Sequence, residues 1–432
     1  MSDPRTALTV AVAKLARIAS RLRGGGSAFP GFVARRITPD INRRLAGSLP
    51  YGVLFVMGSN GKSTTTNMLT SVLRAHGLRV FTNNSGANMP QGIASSLIGA
   101  ASLGGRVDAD IAVLEVDEGY GAVLARELQP KGSLILNLVV DQIYRFHEPD
   151  RVADMFRAII AEVGGPLVLN ADDAFVRGFG EEAAGRDDLS ISWFGASEVA
   201  YAAAPHGLVA ARDFAAEGSG RALGSRPEVG VEVLAQRGAE ATLRIGADEA
   251  SVRLPSRGLH YAVDAAAAIE LARAALGDGF RADAAKRGID EVAPVYGRGE
   301  VIPHANGDIE ILMNKNLASL QLNMDFLEAA PESVLIAYDE SSYDPSWLYS
   351  ADFSKLERVE AVAGPKASFM ALRLGYLGIP VGLVEPDIGK ALDHVLATPR
   401  PTSGTRTFFL DHDQMMAARR HLGYRDLEAG SA

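Results

Sequence analysis

Gly58-Ser59-Asn60-Gly61-Lys62-Ser63-Thr64 places two glycines, a lysine and several hydroxyls within seven residues. Glycines let backbone N–H groups turn toward phosphate oxygens, and a helix N-terminus directly after them adds a favourable dipole. Lys62 can reach outer phosphates, while the Ser63 hydroxyl can sit on Mg²⁺. The common long form of such a loop carries glycine at position 56, where this chain has Val56. The shorter Gly-x-x-Gly-Lys-Ser form therefore carries the reading, against the competing one of a glycine-rich turn with a chance lysine. The apolar run before the loop and the helical pattern after it favour a nucleotide site for ATP and Mg²⁺.

A metal ion on ATP needs hard oxygen ligands from a neighbouring strand end. Glu115 closes the apolar run Ile111-Ala112-Val113-Leu114 and fits that need. Asp117 and Glu118 follow at once and read equally well as a solvated acidic turn. Asn137, Asp141, Asn170, Asp172 and Asp173 end the next apolar runs, on the edge where open α/β sheets bind ligands. His147 and His260 are candidates for nucleotide or metal contact, although a lone histidine is more often structural.

These residues need a sheet to position them. Val53–Met57 reads as a buried strand and Thr64–His76 as a helix stopped by Gly77, with further strands at Ile111–Val116, Ser133–Leu138 and Pro166–Asn170. Strands alternating with helices predict a parallel α/β sheet. Between 196 and 255 short alternating runs predict an antiparallel excursion, followed by an alanine-rich helix over Tyr261–Leu276. Pro294, Gly297 and Gly299 break the pattern, and a second, smaller doubly wound alternation begins. Its strands fall at Ile309–Met313, Val334–Tyr338, Glu360–Ala363, Val381–Val384 and Thr405–Leu410. The expected organisation is an N-terminal helical segment over 1–45, a central ATP-binding domain over 46–296 with a β insertion at 196–255, and a Rossmann-like C-terminal domain over 297–432.

Of the chain's 432 residues, 47% are apolar and 22% charged, as in an ordinary globular protein. A net charge of −9 argues against a dedicated nucleic-acid binder. The absence of cysteine excludes disulfides, thiolate metal sites and cysteine nucleophiles, and fits a cytoplasmic location. No apolar run is long enough to cross a bilayer. From Thr6 to Arg23 apolar residues recur at helical spacing among Lys14, Arg17, Arg21 and Arg23. A helix packed on the first domain is the plainer reading, and a membrane-surface helix at the inner face of the membrane is the alternative.

The loop at 58–65, Glu115, Leu169-Asn-Ala-Asp-Asp173 and Gly297-Arg298-Gly-Glu300 together resemble the Mur-ligase ATPase core. That family phosphorylates a carboxylate with ATP and lets an amine attack the acyl phosphate. Gly26–Gly31, Thr82–Asn88, Glu115-Val-Asp-Glu118, Asn137 with Asp141-Gln142, Lys315-Asn316 and Asp344-Pro-Ser-Trp347 are similar to its amidating branch, the synthetase subunits of lipid II isoglutaminyl synthase. The resemblance runs from about residue 10 to 425.

The resemblance implies a Mur-ligase-type α/β fold in which Gly58, Ser59, Asn60, Gly61, Lys62, Ser63 and Thr64 bind nucleotide, with Asn316 and Arg298 joining from the second domain. Ser63 and Glu115 would hold Mg²⁺. It further implies a GatD-like glutaminase partner supplying ammonia, a Cys–His pair in that partner completed by Asp344, and a lipid-linked peptidoglycan precursor as substrate. Asp339 is the runner-up for Asp344, which could also be a turn residue before Pro345. The chain departs from the branch in lacking four cysteines for a zinc ribbon, so no zinc is expected. It departs again at Leu317-Ala318-Ser319, Glu340-Ser341-Ser342 and Asp264. Amino-acid-adding Mur ligases usually carry a carbamylated lysine downstream of the Asn137–Asp141 segment, and no lysine occurs here from 132 to 285. The expected activity is amidation of a carboxylate, D-glutamate to D-isoglutamine in the stem peptide. A Mur- or folylpolyglutamate-like amino-acid ligase and a degenerate nucleotide-binding scaffold are the alternatives.

Overall fold

Five apolar residues in a row, Val53–Met57, make a stable strand only where both of its faces are covered. A computed structural model describes residues 3–22, 28–83, 88–139, 149–202, 225–293, 297–339 and 345–424. In it this strand (β1) is buried along its whole length and lies between β3 (Ile111–Glu115) and β4 (Gly132–Ile135), parallel to both. The described strands around it form a sheet ordered β2-β3-β1-β4-β5-β6-β7-β8-β9. Here β2 is Val80–Thr82, β5 Gly165–Asn170, β6 Leu189–Ala196, β7 Val231–Arg237, β8 Glu240–Ile245 and β9 Asp248–Arg253.

Alternate residues of β1 feed opposite cores, as the two-residue period of a strand requires. Val53, Phe55 and Met57 meet Ile93, Leu97, Leu124 and Phe156, together with Val10, Ile41 and Leu45 from the N-terminal helices. Leu54 and Val56 meet Met68, Leu69 and Val72 of the helix Lys62–Ala75, and the alanine-rich helix Leu259–Leu276. That helix is buried on nearly every side of its first four turns, and its alanines allow the close approach. Among the described residues three helices, Pro4–Leu22, Phe29–Ile37 and Ile41–Ala46, precede β1.

A second sheet follows, ordered β10-β11-β15-β12-β13-β14 among the described residues. Its strands are β10 (Arg298–Ile302), β11 (Asp308–Met313), β12 (Val334–Ala337), β13 (Val359–Ala363), β14 (Val381–Glu385) and β15 (Thr405–Leu410). It is parallel except at β10, an antiparallel edge. β15 returns to lie between β11 and β12, and Met313 at the carboxyl end of β11 faces the cleft described below.

Several expectations shift. The strands β2, β6 and β10 were not anticipated, since β2 is three residues long and the other two are half-buried without clean alternation. The helix after β1 begins at Lys62 rather than Thr64 because Gly61, at φ +84°, is its N-cap. β4 ends at Ile135, so Asn137 lies beyond the strand rather than within it. In the described part of 196–255, β7–β8 and β8–β9 pair antiparallel as expected, but β7 also pairs parallel with β6, so the β7–β9 meander continues the main sheet.

Gly31 fixes the helix Phe29–Ile37 to its neighbour Pro90–Ala100, since a Cβ there would stand 1.8 Å from the Gln91 carbonyl oxygen. Gly31→Ala is expected to destabilise the chain by on the order of 2 kcal/mol in urea unfolding. Wild-type stability in that variant would contradict the close packing.

Candidate active site in the cleft between the two sheets

The loop leaves β1 with Gly58 at φ +143° and enters its helix through Gly61 at φ +84°, both in a region that favours glycine. Gly61 is doubly constrained, because a Cβ would lie 2.5 Å from Asp264 Oδ1. Asn137 holds the loop's far side. Its Oδ1 accepts from Asn60 N at 2.9 Å, and its Nδ2 donates to the Asn60 carbonyl at 3.1 Å. Ser59 Oγ accepts from Val139 N at 3.1 Å.

Lys62 Nζ donates to the Gly58 carbonyl at 2.5 Å and pairs with Glu118 at 2.7 Å. Glu118 is only 6% exposed, so it belongs to the site and not to a solvated turn. Asp117 instead caps the following helix by accepting from Gly119 N. Ser63 Oγ donates to Glu115 Oε2 at 2.7 Å. Glu115 is itself set by Asn83, whose side chain accepts from Glu115 N at 2.9 Å and donates to its carbonyl at 3.0 Å. A hydroxyl and a carboxylate thus meet beside the loop, a hard-oxygen pair of the type Mg²⁺ takes.

From the second sheet, Arg298 Nη1 donates to Thr64 Oγ1 at 3.0 Å, Lys315 Nζ to the Ser59 carbonyl at 2.9 Å, and Asn316 Nδ2 to Asn60 Oδ1 at 3.2 Å. Asn316 also caps the helix Leu317–Asp325, and Ser319 completes a capping box with it. The serine at that departure from the family pattern therefore has a local role. The cleft enclosed by these groups has a volume of about 570 Å³.

Asn170, Asp172 and Asp173 divide their work. Asn170 donates to the Leu136 carbonyl, and Asp173 caps the helix Ala174–Ala183 while accepting from Leu138 N. Asp172 lines the cleft and pairs with Arg226 at 2.7 Å. His260 lines the cleft, half-buried against Tyr261 and Phe326. Desolvation, with nearby Arg298, lowers it to about 3, so the ring it presents there is neutral. Asp141, His147, Asp344 and the Glu340–Ser342 stretch lie outside the described residues. Asp339, the runner-up for the aspartate role, accepts from Gln414 Nε2 at 2.7 Å and donates its backbone N–H to Asp411.

Sequence reasoning missed the contact of Lys315 with the loop and placed Asp264 only as a departure. Glycine at 61 was the available signal for the second, since a side chain must approach where no Cβ is tolerated.

Residues 56–219 match the Mur ligase middle domain. The fold agrees with MurF from Acinetobacter baumannii at a TM-score of 0.68 and 19% identity, over 90% of this chain and 79% of that one. It also agrees with folylpolyglutamate synthase from Mycobacterium tuberculosis, solved with ADP and AMPPCP, at a TM-score of 0.64 and 17% identity, over 90% and 96% of the two chains. Residues 56–219 are thus similar to the Mur ligase middle domain, and the fold is the one that Mur ligases and folylpolyglutamate synthases share. Across its length it is similar to subunit MurT of the glutamine-hydrolysing lipid II isoglutaminyl synthase of Staphylococcus aureus (strain COL): 29% identical over 408 residues, 88% of this chain and 90% of that protein.

Asp264 carries a testable charge. Burial raises its carboxyl from 3.8 to about 7, outweighing the opposite pull of Arg298. A carboxyl that is less acidic folded than unfolded adds stability at low pH, and that contribution is lost as pH rises from 3.8 through about 7. Asp264→Asn, which cannot ionise, should gain on the wild type by on the order of 2–3 kcal/mol between about pH 5 and pH 8 in urea unfolding. A gap independent of pH would contradict this.

Proposed function

We propose that this chain is the synthetase subunit of a glutamine-dependent amidating ligase that acts on the D-glutamate α-carboxylate of a lipid-linked peptidoglycan precursor. One observation carries the reading: nucleotide-loop residues from the first sheet and Arg298, Lys315 and Asn316 from the second face each other across a single cleft. Such a cleft can hold a phosphoryl donor and acceptor together and keep water out. The similarity to MurT and the absence of lysine from 132 to 285 favour ammonia over an amino acid as the nucleophile.

In this reading the loop from Gly58 to Thr64 binds the phosphates through amides other than those of Ser59 and Asn60, which Asn137 already holds, and Lys62 contacts the outer ones. Its present partner Glu118 gives it up when those phosphates enter. Ser63 and Glu115 would hold Mg²⁺, which would supply charge neutralisation to the phosphates. The carboxylate oxygen attacks the γ-phosphorus, ADP leaves, and ammonia then displaces phosphate from the acyl phosphate to form the amide. Arg298 and Asn316 keep the two halves of the cleft in register during transfer.

The central unit of this scheme spans 46–296 and the partner-facing unit 297–432. A GatD-like glutaminase supplies the ammonia, and Asp344 completes its Cys–His pair by holding the histidine tautomer. No zinc is required. The working location is the cytoplasmic face of the membrane, where such a precursor is accessible.

The test combines the chain with its co-purified glutaminase, ATP, glutamine and lipid II. ADP release should require glutamine or ammonia, and mass spectrometry should show one stem-peptide carboxyl converted to an amide. Lys62→Ala should lower turnover by about a hundredfold or more. ADP release dependent on a free amino acid, with the precursor extended by that residue, would replace this reading with an amino-acid ligase.

A further inference from the structure

The helix Pro4–Leu22 is amphipathic in both directions. Its inner side is buried through Thr6, Thr9, Val10 and Ala13. Its outer side is apolar as well: at about 100° per residue, Leu8, Ala11, Val12, Leu15, Ile18 and Ala19 fall within an arc of about 120°. Leu8 is 62% exposed, Leu15 67% and Ile18 57%. The adjoining helix Phe29–Ile37 leaves Phe29 and Phe32 exposed too. An ordinary surface helix turns charge outward, so a solvent-facing stripe of this kind marks a contact.

Charge identifies what covers it. Residues 1–46 carry nine lysines and arginines against two aspartates, a local +7 in a chain whose net charge is −9. The remaining residues hold 34 basic against 50 acidic side chains, or −16. Some of the cations are used inside the fold: Arg35 pairs with Glu127, and Arg44 with Asp3 and Asp40. Lys14 and Arg36 make no ion pair among the described residues. An acidic protein with one basic segment, whose exposed stripe is aliphatic and aromatic, complements a surface that is apolar inside and anionic outside. No described helix is long and apolar enough to cross a membrane, so the segment would lie along the surface.

We propose that the helices Pro4–Leu22 and Phe29–Ile37 form a docking face for an anionic phospholipid bilayer. Leu8, Leu15, Ile18, Phe29 and Phe32 enter the headgroup boundary, and Lys14 and Arg36 meet lipid phosphates. The inference stands apart from the amidation reading, since it rests on the N-terminal helices and not on the cleft. It accounts for a basic segment that the cleft does not use.

The experiment is co-flotation of the full chain with vesicles of phosphatidylcholine mixed with phosphatidylglycerol, and with vesicles of phosphatidylcholine alone. Binding to the mixed vesicles, weakened by salt, is expected, with Leu15→Glu/Ile18→Glu and Lys14→Glu/Arg36→Glu each lowering it by about tenfold or more. Leu15, Ile18 and Arg36 are exposed and Lys14 is half-buried, so unchanged melting checks that both variants fold; should one fail to fold, the other decides. Absence of binding to mixed vesicles, equal binding to neutral ones, or full binding by folded variants would overturn the proposal. So would a solution dimer that Leu15→Glu/Ile18→Glu converts to monomer without any vesicle binding, which would assign the stripe to a second copy.

Discussion

Asn137 grips the backbone of Asn60 from both directions, and the candidate site is organised around that pair of hydrogen bonds. A phosphate loop has to leave amides at its helix end for the ligand, so its other side must be fixed by something else. Asn137 can do this because it lies just beyond β4, beside β1 in the sheet. The all-apolar β1 keeps those two strands together, and the two cores on its faces hold β1 in place. Stability in the sheet thus becomes geometry in the loop.

Charge then sets the resting state of the cleft. Lys62 and Glu118 satisfy one another, as do Ser63 and Glu115, so cation and acceptors are stored in hydrogen-bonded pairs rather than left as buried isolated charges. Glu118 is nearly as buried as the strand it follows, so its charge depends on the pair with Lys62. Asp264 sits apart from these pairs, uncharged over part of the physiological range because burial disfavours its carboxylate. The second sheet adds Arg298, Lys315 and Asn316 without adding a carboxylate to the loop itself. Farther along the main sheet, Glu232 of β7 ties Arg226 to Arg244 of β8, and Arg226 reaches back to Asp172 on the rim of the cleft.

Features encoded locally were legible from the chain alone. The run Val53–Met57, the glycine spacing at 58 and 61, and Glu115 at the end of an apolar strand each declare themselves within a few residues. So did most strands of the second sheet, where Thr405–Leu410 fell as expected. Contacts made by tertiary approach were less legible. Lys315 lies 256 residues from Ser59 in sequence, and nothing near Lys315 says where its ammonium goes. Glu118 looked like a turn residue because its partner is set by the sheet and not by its neighbours. The half-buried β6 carries no clean alternation, so the join between the parallel sheet and the β7–β9 meander was hidden.

The central claim is that the cleft activates a carboxylate by transferring phosphate to it. The most direct measurement supplies a lipid precursor whose stem-peptide carboxylate bears a heavy oxygen isotope, together with ATP, glutamine and the glutaminase, and analyses the released phosphate by mass spectrometry. Transfer through an acyl phosphate predicts one labelled oxygen in the phosphate for each amide formed. Amide formation with unlabelled phosphate would contradict it.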